Sequence, residues 1–265
     1  MRGSFKGWVL LDEVSMCGLG LLAALDQLRL NGTKICTFGD WAQLPPHPES
    51  NSWRGQPVDA AAFERSRLYK SWSDRTQFIL TRCRRSDEQH FDFYTNLPND
   101  LRKAVALSRK QYPPKGDEVD LHICISHQKR RSIAASMQAE AARGKQTIRI
   151  PAGDDPEYDC CVGTKLVGNC TSGRFLNGAR YLVISFSENL VSKDQATEKE
   201  FEATPEQVGR CCLLAHALVY NQVQGSTEEG SVMLHGTSSP YVRKCHLYVG
   251  LSRITAGKNM FEASD

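Results

Sequence analysis

Apolar residues near the N-terminus form short continuous runs separated by a stretch with helical spacing. Trp8–Leu11 ("WVLL") is a continuous apolar run that predicts a buried strand. Leu19–Leu30 ("LGLLAALDQLRL") has apolar residues at the spacing of an amphipathic helix, and Asn31-Gly32 is a suitable stop. Lys34–Phe38 ("KICTF") is a second short run. Strand, helix and strand in this order predict a βαβ unit with a parallel sheet.

The middle of the chain alternates between polar linkers and further apolar runs. Residues 45–75 are rich in Pro, Ser, Gly and Arg, which predicts a loop, a short helix near Ala60 and a domain boundary. "QFILT" (Gln77–Thr81) predicts a strand and "EQHFDFYTNL" a helix. "LHICIS" (Leu121–Ser126) predicts a strand, followed by a helix from about Gln128 to Arg143.

From Cys160 onward the pattern becomes typical of β-structure. Asn177-Gly178 predicts a turn before the strand "ARYLVISF". Residues 187–208 are polar and are interpreted as a solvated insertion. "CCLLAHALVYNQVQG" and "CHLYVGLSR" predict buried segments, the second being an apolar strand that Arg253 closes.

Composition limits the classes of protein that the chain can be. At 265 residues, 40% hydrophobic and 24% charged, the chain predicts a globular protein of two domains. The net charge of +3 excludes a basic surface over the whole protein, so any nucleic-acid contact must be local. No apolar run is long enough for a membrane helix or a signal peptide, so we expect an intracellular protein without a membrane partner.

Ten cysteines are scattered along the sequence without a C-x-x-C spacing. Several lie in apolar runs, where a thiol behaves as a small hydrophobic group, so we expect reduced and mostly buried thiols. A zinc site made of Cys160, Cys161 and Cys170 is the less favoured alternative, because these residues lack the usual ligand spacing.

Acidic side chains follow both N-terminal strands. Asp12 and Glu13 come directly after the first strand, and Asp40 follows the second, with Gly39 allowing the turn and Gln43 just beyond. Because functional residues of an α/β sheet lie at the carboxyl ends of its strands, we expect these acids to converge on one edge. The alternative is that Asp12 and Asp40 only cap the following helices.

These two stretches, "LLDE-S" and "GD-x-x-QLPP", resemble motifs II and III of superfamily 1 DNA helicases of the RecD-like and petite-integration-frequency branch. Four further stretches resemble that branch in the same order and extend the resemblance over residues 8–261. They are "LTRCRRSD" (Leu80–Asp87, motif IV), "VGTKLVGNCTSGRFLNGARYLVIS" (Val162–Ser185, the segment that introduces a small β-barrel), "ALVYNQVQGST" (Ala217–Thr227, motif V) and "LYVGLSR" (Leu247–Arg253, motif VI).

The resemblance implies ATP and Mg²⁺ as cofactors and assigns a role to each matching residue. Asp12 would hold Mg²⁺, and Glu13 would orient and deprotonate the attacking water. The remaining members of the implied nucleotide site are Asp40; Gln43, which would sense the γ-phosphate; Gln224 and Gly225 of motif V; and Arg85 and Arg253, which would neutralise the transferred phosphoryl group.

Single-stranded DNA is the partner that the resemblance implies, with DNA repair and recombination as the processes served. Lys129, Arg130 and Arg131 lie in the first turn of a predicted helix, where a nucleic-acid backbone would offset the unfavourable helix dipole. The alternative is a solvated charged face screened by salt. Asn221 and Gln222 stand where the branch commonly has His-Lys, so one cationic contact of motif V is absent.

The phosphate-cradling motif G-x-x-x-x-G-K-[ST] does not occur in the sequence. "NGTK" (Asn31–Lys34) and "RGKQT" (Arg143–Thr147) lack its spacing or its position between a strand and a helix. We therefore expect the C-terminal part of a longer helicase, which needs an N-terminal P-loop segment in the same or another chain. The isolated chain is expected to bind nucleotide poorly and not to unwind duplexes.

The predicted fold is α/β, with RecA-like parallel-sheet motor domains. Residues 1–74 form the incomplete first motor domain, and residues 75–265 form the second, with a β-rich insertion at about 160–208. The predicted function is ATP-dependent translocation on single-stranded DNA and duplex unwinding. A non-catalytic nucleic-acid-binding or regulatory module and a viral-type superfamily 1 RNA helicase are the alternatives.

Overall fold

A computed structural model describes residues 5–46, 52–53, 56–57, 64–72, 76–116 and 119–264, with 52–53 and 56–57 described for the backbone alone. The chain forms two compact units. Unit 1 comprises Met1–Leu97 and Arg243–Ser252, and unit 2 comprises Pro98–Val242 and Arg253–Asp265. The predicted boundary at residue 74 stays a prediction, and the predicted helix near Ala60 lies outside the described residues.

The described residues form both helices and strands. The helices are α1 (Leu19–Leu30), α2 (Arg67–Trp72), α3 (Glu88–Thr95), α4 (Leu101–Gln111), α5 (His127–Ala142), α6 (Pro205–Cys211), α7 (Tyr220–Val223) and α8 (Lys244–Leu251). The strands are β1 (Trp8–Leu11), β2 (Lys34–Thr37), β3 (Ser52–Trp53), β4 (Gln56–Pro57), β5 (Leu121–Cys124), β6 (Ile148–Ile150), β7 (Tyr158–Cys160), β8 (Lys165–Gly168), β9 (Arg180–Phe186), β10 (Leu190–Asp194), β11 (Glu200–Ala203), β12 (Cys212–Leu214), β13 (Ala217–Val219), β14 (Val232–His235) and β15 (Met260–Glu262).

The N-terminal βαβ unit has the predicted topology. β1 pairs with β2 in parallel, from Trp8 opposite Lys34 to Leu11 opposite Thr37. The core of this part of unit 1 is built on Val14 and Leu22, and Leu11 packs against it. Trp8 and Leu10, which alternate with the packed residues of β1, are exposed. One face of this sheet is therefore covered and the other presents apolar side chains.

The predicted strand at Gln77–Thr81 does not form. This segment has no strand pairing, and the side chains of Phe78, Ile79 and Leu80 are 86%, 80% and 90% exposed. An apolar run becomes a strand only where a neighbouring strand accepts its backbone hydrogen bonds, and none of the described residues supplies one here. The prediction was therefore wrong for this segment.

Unit 2 contains a four-stranded parallel sheet in the order β13-β5-β14-β15. Every residue of β5 and β14 is buried, as expected for strands that are covered on both faces. Helix α5 packs against β5 and β13. The sheet places the ends of three strands, at Cys124, His235 and Glu262, side by side.

The β-rich insertion is a five-stranded antiparallel sheet in the order β11-β10-β9-β8-β12. Gly178 has φ +79° in the predicted Asn-Gly turn. The prediction of a solvated insertion at residues 187–208 was wrong, because strands β10 and β11 and the start of helix α6 occupy it. Buried residues alternate with more exposed ones along both strands. The buried ones are Leu190 and Ser192 of β10 and Phe201 and Ala203 of β11. The polar composition of the segment as a whole hides this two-residue period in the sequence.

The segment that contains "CHLYVGLSR" is a helix rather than the predicted strand. Helix α8 spans Lys244–Leu251, and Leu247, Val249 and Leu251 are buried. A short apolar run fits a buried strand and a buried helix equally well, so periodicity alone could not separate them. Arg253 therefore follows a helix.

The cysteines are free thiols, and five of them are buried. Cys160 and Cys161 both lie in the interior, where the thiol of Cys161 donates to the carbonyl of Ala141. Across the described ranges, no group of three His, Cys, Asp or Glu side chains is placed to hold a metal ion. In the same residues, the helices are too short or too polar to cross a bilayer.

Candidate nucleotide and nucleic-acid sites

The two acids after β1 have different backbone conformations. Oδ1 of Asp12 accepts a 2.8 Å hydrogen bond from the amide of Glu13. Glu13 has φ 51° and ψ 42°, the left-handed region, and a short 3₁₀ turn begins directly after it. A non-glycine residue in this region carries strain that is common at functional sites. The strand end therefore fixes two neighbouring carboxylates in different backbone environments.

The structure brings Asp40 to the same edge of the sheet as Asp12 and Glu13. Phe38 donates through its amide to the carbonyl of Leu11 at 2.8 Å, and Val14 donates to the carbonyl of Phe38 at 2.9 Å. A Cβ added at Gly39 would lie 2.7 Å from Cγ1 of Val14. Gly39 is thus needed for the close approach of the two strand ends rather than for the turn that the sequence suggested.

Asp40 accepts hydrogen bonds from three directions. Its Oδ1 accepts from the amide of Ala42 at 2.9 Å, and its Oδ2 accepts from the hydroxyl of Tyr248 at 2.7 Å and from Nε2 of Gln43 at 3.4 Å. Oε1 of Gln43 is buried without a hydrogen-bond partner among the described residues. Asp40 therefore caps a turn rather than the helix that the alternative had expected, and it also holds the side chain of Gln43.

Arg85 lies in unit 1, as do the acids. Its side chain is exposed, and Nη1 donates to the carbonyl of Ser252 at 3.4 Å. The neighbouring hydroxyl of Ser86 lies 3.5 Å from that of Tyr94, and the Tyr94 ring packs edge-on against Tyr248 at 5.4 Å between centroids. Burial raises the pKa of Tyr94 to about 12, so its hydroxyl stays protonated. These contacts connect the Arg85 segment with helix α8.

Sequence reasoning did not single out Tyr248, although it lies within the stretch "LYVGLSR". A tyrosine in an apolar run is more often a packing residue, and only the fold shows that its hydroxyl reaches Asp40. The same holds for Tyr94, which the helical pattern places on a buried face without indicating its neighbours.

In unit 2, Arg253 and the motif V loop are held together. Arg253 is buried, and its Nη1 donates to the carbonyl of Ser226 at 3.0 Å. The backbone carbonyl of Arg253 accepts a hydrogen bond from the amide of Glu228 at 2.7 Å. Ser226 follows Gln224 and Gly225, and Gly225 has φ +83°, a conformation that suits glycine. Two stretches predicted to act at one site are therefore neighbours, and Arg253 fixes the position of the loop.

The basic triplet is not one continuous exposed face. Arg130 is buried, and its Nη2 lies 2.5 Å from Oδ1 of Asp155. Arg131 is exposed, but its Nε donates to the carbonyl of Asp154 at 2.7 Å. Lys129 is exposed at the start of helix α5. Arg130 thus has a structural partner in the interior, and the prediction of a phosphate contact narrows to Lys129 and Arg131.

A cavity of about 430 Å³ lies in unit 2 at the carboxyl ends of β5, β14 and β15. Helix α5 begins at its wall, with Ser126 as the N-cap that accepts from the amide of Lys129 at 3.2 Å. Serine hydroxyls, a lysine and a histidine are among the groups that line the cavity. The lining residues are Ile125, Ser126, Lys129, His235, Gly236, Ser238, Ser239, Ala263 and Ser264.

The carboxylate edge in unit 1 fits Mg²⁺–nucleotide chemistry through the kind of atoms it offers. Mg²⁺ prefers oxygen ligands and is usually held by one or two carboxylates together with phosphate oxygens and water. Asp12 supplies such a carboxylate, and the buried Oε1 of Gln43 is an acceptor that can receive a hydrogen bond from a water or a protonated group.

Neither known family models nor curated proteins match this sequence. Solved structures do match the fold. A structure of two coordinating Pif1 helicases at forked double-stranded DNA has a TM-score of 0.68 and 17% identity, covering 97% of this chain and 69% of that one. Bacteroides Pif1 bound to single-stranded DNA gives 0.67 and 19%, covering 97% and 70%. Bacteroides Pif1 with ADP-AlF3 and single-stranded DNA gives 0.64 and 19%, covering 96% and 70%. The chain therefore has the fold of the Pif1 helicases.

Proposed function

We propose that this chain is part of an ATP-dependent DNA helicase that couples nucleotide hydrolysis to movement on single-stranded DNA. The observation that carries the proposal is the placement of Asp12, Glu13, Asp40 and Gln43 at one carboxyl edge of a parallel sheet, in a chain with the Pif1 fold. Solved structures of this fold contain single-stranded DNA and, in one case, ADP-AlF3.

The proposed chemistry divides the work between neighbouring side chains. Mg²⁺–ATP supplies the phosphoryl group and part of the charge neutralisation. Asp12 would hold the metal, and the carboxylate of Glu13 would accept a proton from the attacking water. Asp40 keeps Gln43 in place, so that Gln43 can sense whether a γ-phosphate is present.

Arg85 and Arg253 are the proposed sources of positive charge for the transferred group, because a guanidinium stays charged and binds oxygens in pairs. Arg85 is exposed, whereas Arg253 is buried and holds the carbonyl of Ser226. A change around Arg253 would therefore also move the loop of Gln224 and Gly225, which gives a route by which DNA and nucleotide could influence each other.

The sequence contains no G-x-x-x-x-G-K-[ST], and we propose that the P-loop that cradles phosphates is supplied by another segment, in the same or another chain. We expect the isolated chain to have no ATPase activity with oligothymidylate of about 16 nucleotides. A turnover of about 1 s⁻¹ or more would contradict this expectation. In a form that includes a P-loop segment, Glu13→Gln is expected to abolish turnover while nucleotide binding remains.

The DNA part of the proposal rests on the cavity of unit 2. Lys129 and the start of helix α5 offer a positive charge and backbone amides, which suit one phosphate of a nucleic-acid backbone. Fluorescence anisotropy of labelled oligothymidylate is expected to show binding that Lys129→Ala weakens, whereas Lys70→Ala, an exposed lysine of unit 1, leaves it unchanged. Absence of binding at low salt would overturn this part.

A non-catalytic nucleic-acid-binding module is the second candidate. Asn221 and Gln222 replace the usual His-Lys of motif V, and the P-loop sequence is absent. DNA binding that stays insensitive to nucleotide, even with a P-loop segment present, would favour this candidate over a motor. Tighter binding of oligouridylate than oligothymidylate would favour the RNA helicase alternative.

A further inference from the structure

Two cysteines at one end of the β-rich insertion have their thiols in contact. Cys170 lies just after β8, and Cys211 is the last residue of helix α6. The thiol of Cys170 is hydrogen-bonded to the thiol of Cys211. Cys211 belongs to the hydrophobic core of the insertion, and Cys170 packs against that core from a partly buried position. The two thiols are therefore neighbours in space, although strands β9, β10 and β11 lie between them in the chain.

The backbone holds the two cysteines in this position. Strands β8 and β12 are antiparallel, with Gly168 opposite Cys212. Just beyond this pair, the amide of Asn169 donates to the carbonyl of Cys211 at 2.7 Å. Cys170 follows Asn169 directly, so the two cysteines lie on adjacent backbone segments. Hydrogen-bonded segments lie about 5 Å apart, and a disulfide spans Cα atoms about 4.4 to 6.8 Å apart.

The two thiols differ in their access to solvent. Cys170 is partly exposed, whereas Cys211 is only 1% exposed. A small oxidant in solvent therefore reaches Cys170, and Cys211 is beside it to react with the oxidised sulfur. The hydrogen bond to Cys211 raises the pKa of the Cys170 thiol, which is therefore mostly protonated at neutral pH. Because the thiolate is the reactive form, we expect oxidation over minutes to hours rather than seconds.

We propose that Cys170 and Cys211 form a disulfide when the protein meets a peroxide, so that this end of the insertion is a reversible oxidation site. Hydrogen peroxide transfers one oxygen to the sulfur of Cys170, which gives a sulfenic acid and releases one water. The sulfur of Cys211 then attacks that sulfur and the S–O bond breaks. The sulfenic hydroxyl leaves with the thiol proton as a second water. The two thiols lose two electrons in total, and the peroxide gains them.

The proposed disulfide would close a loop that contains β9, β10, β11 and helix α6. A disulfide removes conformational freedom from the unfolded chain, and the effect grows with the length of the loop. The oxidised insertion is therefore expected to resist unfolding more than the reduced one. A dithiol reductant reverses the change. This inference does not depend on the proposed helicase function.

The test exposes the full chain to hydrogen peroxide at neutral pH under native conditions, and iodoacetamide then blocks the remaining thiols before digestion. Mass spectrometry of the non-reduced peptides is expected to show Cys170 joined to Cys211. Dithiothreitol is expected to restore both thiols. The oxidised protein is expected to melt several degrees above the reduced protein.

Three variants separate this pair from the other cysteines. Cys170→Ala and Cys211→Ala are both expected to lose the crosslink and the rise in melting temperature. Cys212→Ala is the matched control, because Cys212 is also buried and lies next to Cys211 in the chain. It is expected to keep the crosslink and the rise. The peptide map of the wild type decides the pairing even if a variant at a buried cysteine fails to fold.

The peptide map also gives the results that would overturn the proposal. Cys170 could stay a thiol at peroxide concentrations that oxidise free cysteine, become a sulfinic acid, or pair with a cysteine other than Cys211. Each of these results would exclude the Cys170–Cys211 oxidation site. A crosslink that leaves the melting temperature unchanged would overturn the stabilising effect while the oxidation site stands.

Discussion

The hydroxyl of Tyr248 donates a 2.7 Å hydrogen bond to Oδ2 of Asp40, which lies 208 residues earlier in the chain. Asp40 in turn accepts from Gln43, and the Tyr248 ring packs against Tyr94. Helix α8 and the loop after β2 are thereby joined within unit 1 through one carboxylate. A change at Tyr248 is therefore expected to be felt at Asp40 and Gln43.

Tyr248→Phe is expected to lower the free energy of unfolding by about 1 to 2 kcal/mol, because it removes a hydrogen bond to a carboxylate. Chemical denaturation measures the effect. Tyr241→Phe, at an exposed tyrosine, is the matched control and is expected to leave stability unchanged. Equal effects of the two substitutions would contradict the role of the bond.

Glu13→Gly is expected to raise the free energy of unfolding by about 0.5 to 1 kcal/mol, since glycine adopts the left-handed conformation at φ 51° without strain. Glu13→Ala deletes the same carboxylate but keeps a Cβ, so it is not expected to stabilise. Urea denaturation of the two variants separates backbone strain from side-chain effects. A loss of stability in the glycine variant would show that the strain is not stored there.

Gly39→Ala is expected to destabilise the protein by about 1 to 3 kcal/mol, because its Cβ would lie 2.7 Å from Cγ1 of Val14 and 3.1 Å from its amide nitrogen. Gly20→Ala is the matched control within helix α1, where no atom lies within 4 Å of the added carbon. It is expected to stabilise by about 0.5 to 1 kcal/mol through helix propensity. Thermal melting of both variants gives the comparison, and a neutral Gly39→Ala would mean that Val14 can move aside.

Arg130→Met is expected to cost about 3 to 5 kcal/mol, because it leaves the buried carboxylate of Asp155 without its cation. Lys129→Met, one residue earlier and exposed, is expected to change stability by less than about 0.5 kcal/mol. Denaturation at neutral pH tests the difference. An unaffected Arg130→Met protein would show that Arg130 is not structural and would restore it as a candidate for phosphate binding.

Stability is expected to fall as the pH drops from about 6.5 towards 4, in part through His246. Burial and the nearby charge of Arg243 lower the pKa of His246 to about 4, and its Nδ1 accepts from the amide of Arg243. The unfolded chain binds a proton near the ordinary value of about 6.5, so protonation favours unfolding over this interval. His246→Gln is expected to reduce the decrease in unfolding free energy between about pH 6.5 and pH 4 by about 2 to 3 kcal/mol. This figure allows for the partial exposure of the His246 side chain, which weakens the effect of its pKa shift. An unchanged slope of unfolding free energy with pH would exclude His246 as a cause.

The sequence patterns identified most elements but not their partners. Trp8–Leu11 and Lys34–Thr37 formed the expected parallel pair because both runs have a neighbour within the described chain. Gln77–Thr81 has the same apolar character but no strand beside it, and pairing is a non-local property that a local pattern cannot contain. The helix at Lys244–Leu251 was predicted as a strand for a related reason, because a short run of mostly apolar residues fits either state.

The sequence motifs identified individual candidate site residues, but they did not predict the hydrogen bonds and ion pairs that position those residues. Asp12, Glu13 and Asp40 were expected at one edge, and the strand register places them there. The burial of Arg130 could not be foreseen, because its partner Asp155 lies beyond the helix in a loop with no distinctive pattern. Long-range partners of this kind depend on tertiary packing, which a single sequence does not specify.

The exposed run of Phe78, Ile79 and Leu80 also affects the solubility of the protein. Three bulky apolar side chains on backbone with open hydrogen-bonding groups are a template for adding strands from other molecules. Concentrated samples are expected to aggregate by pairing of this segment between molecules. A partner that covered these side chains would keep the protein in solution.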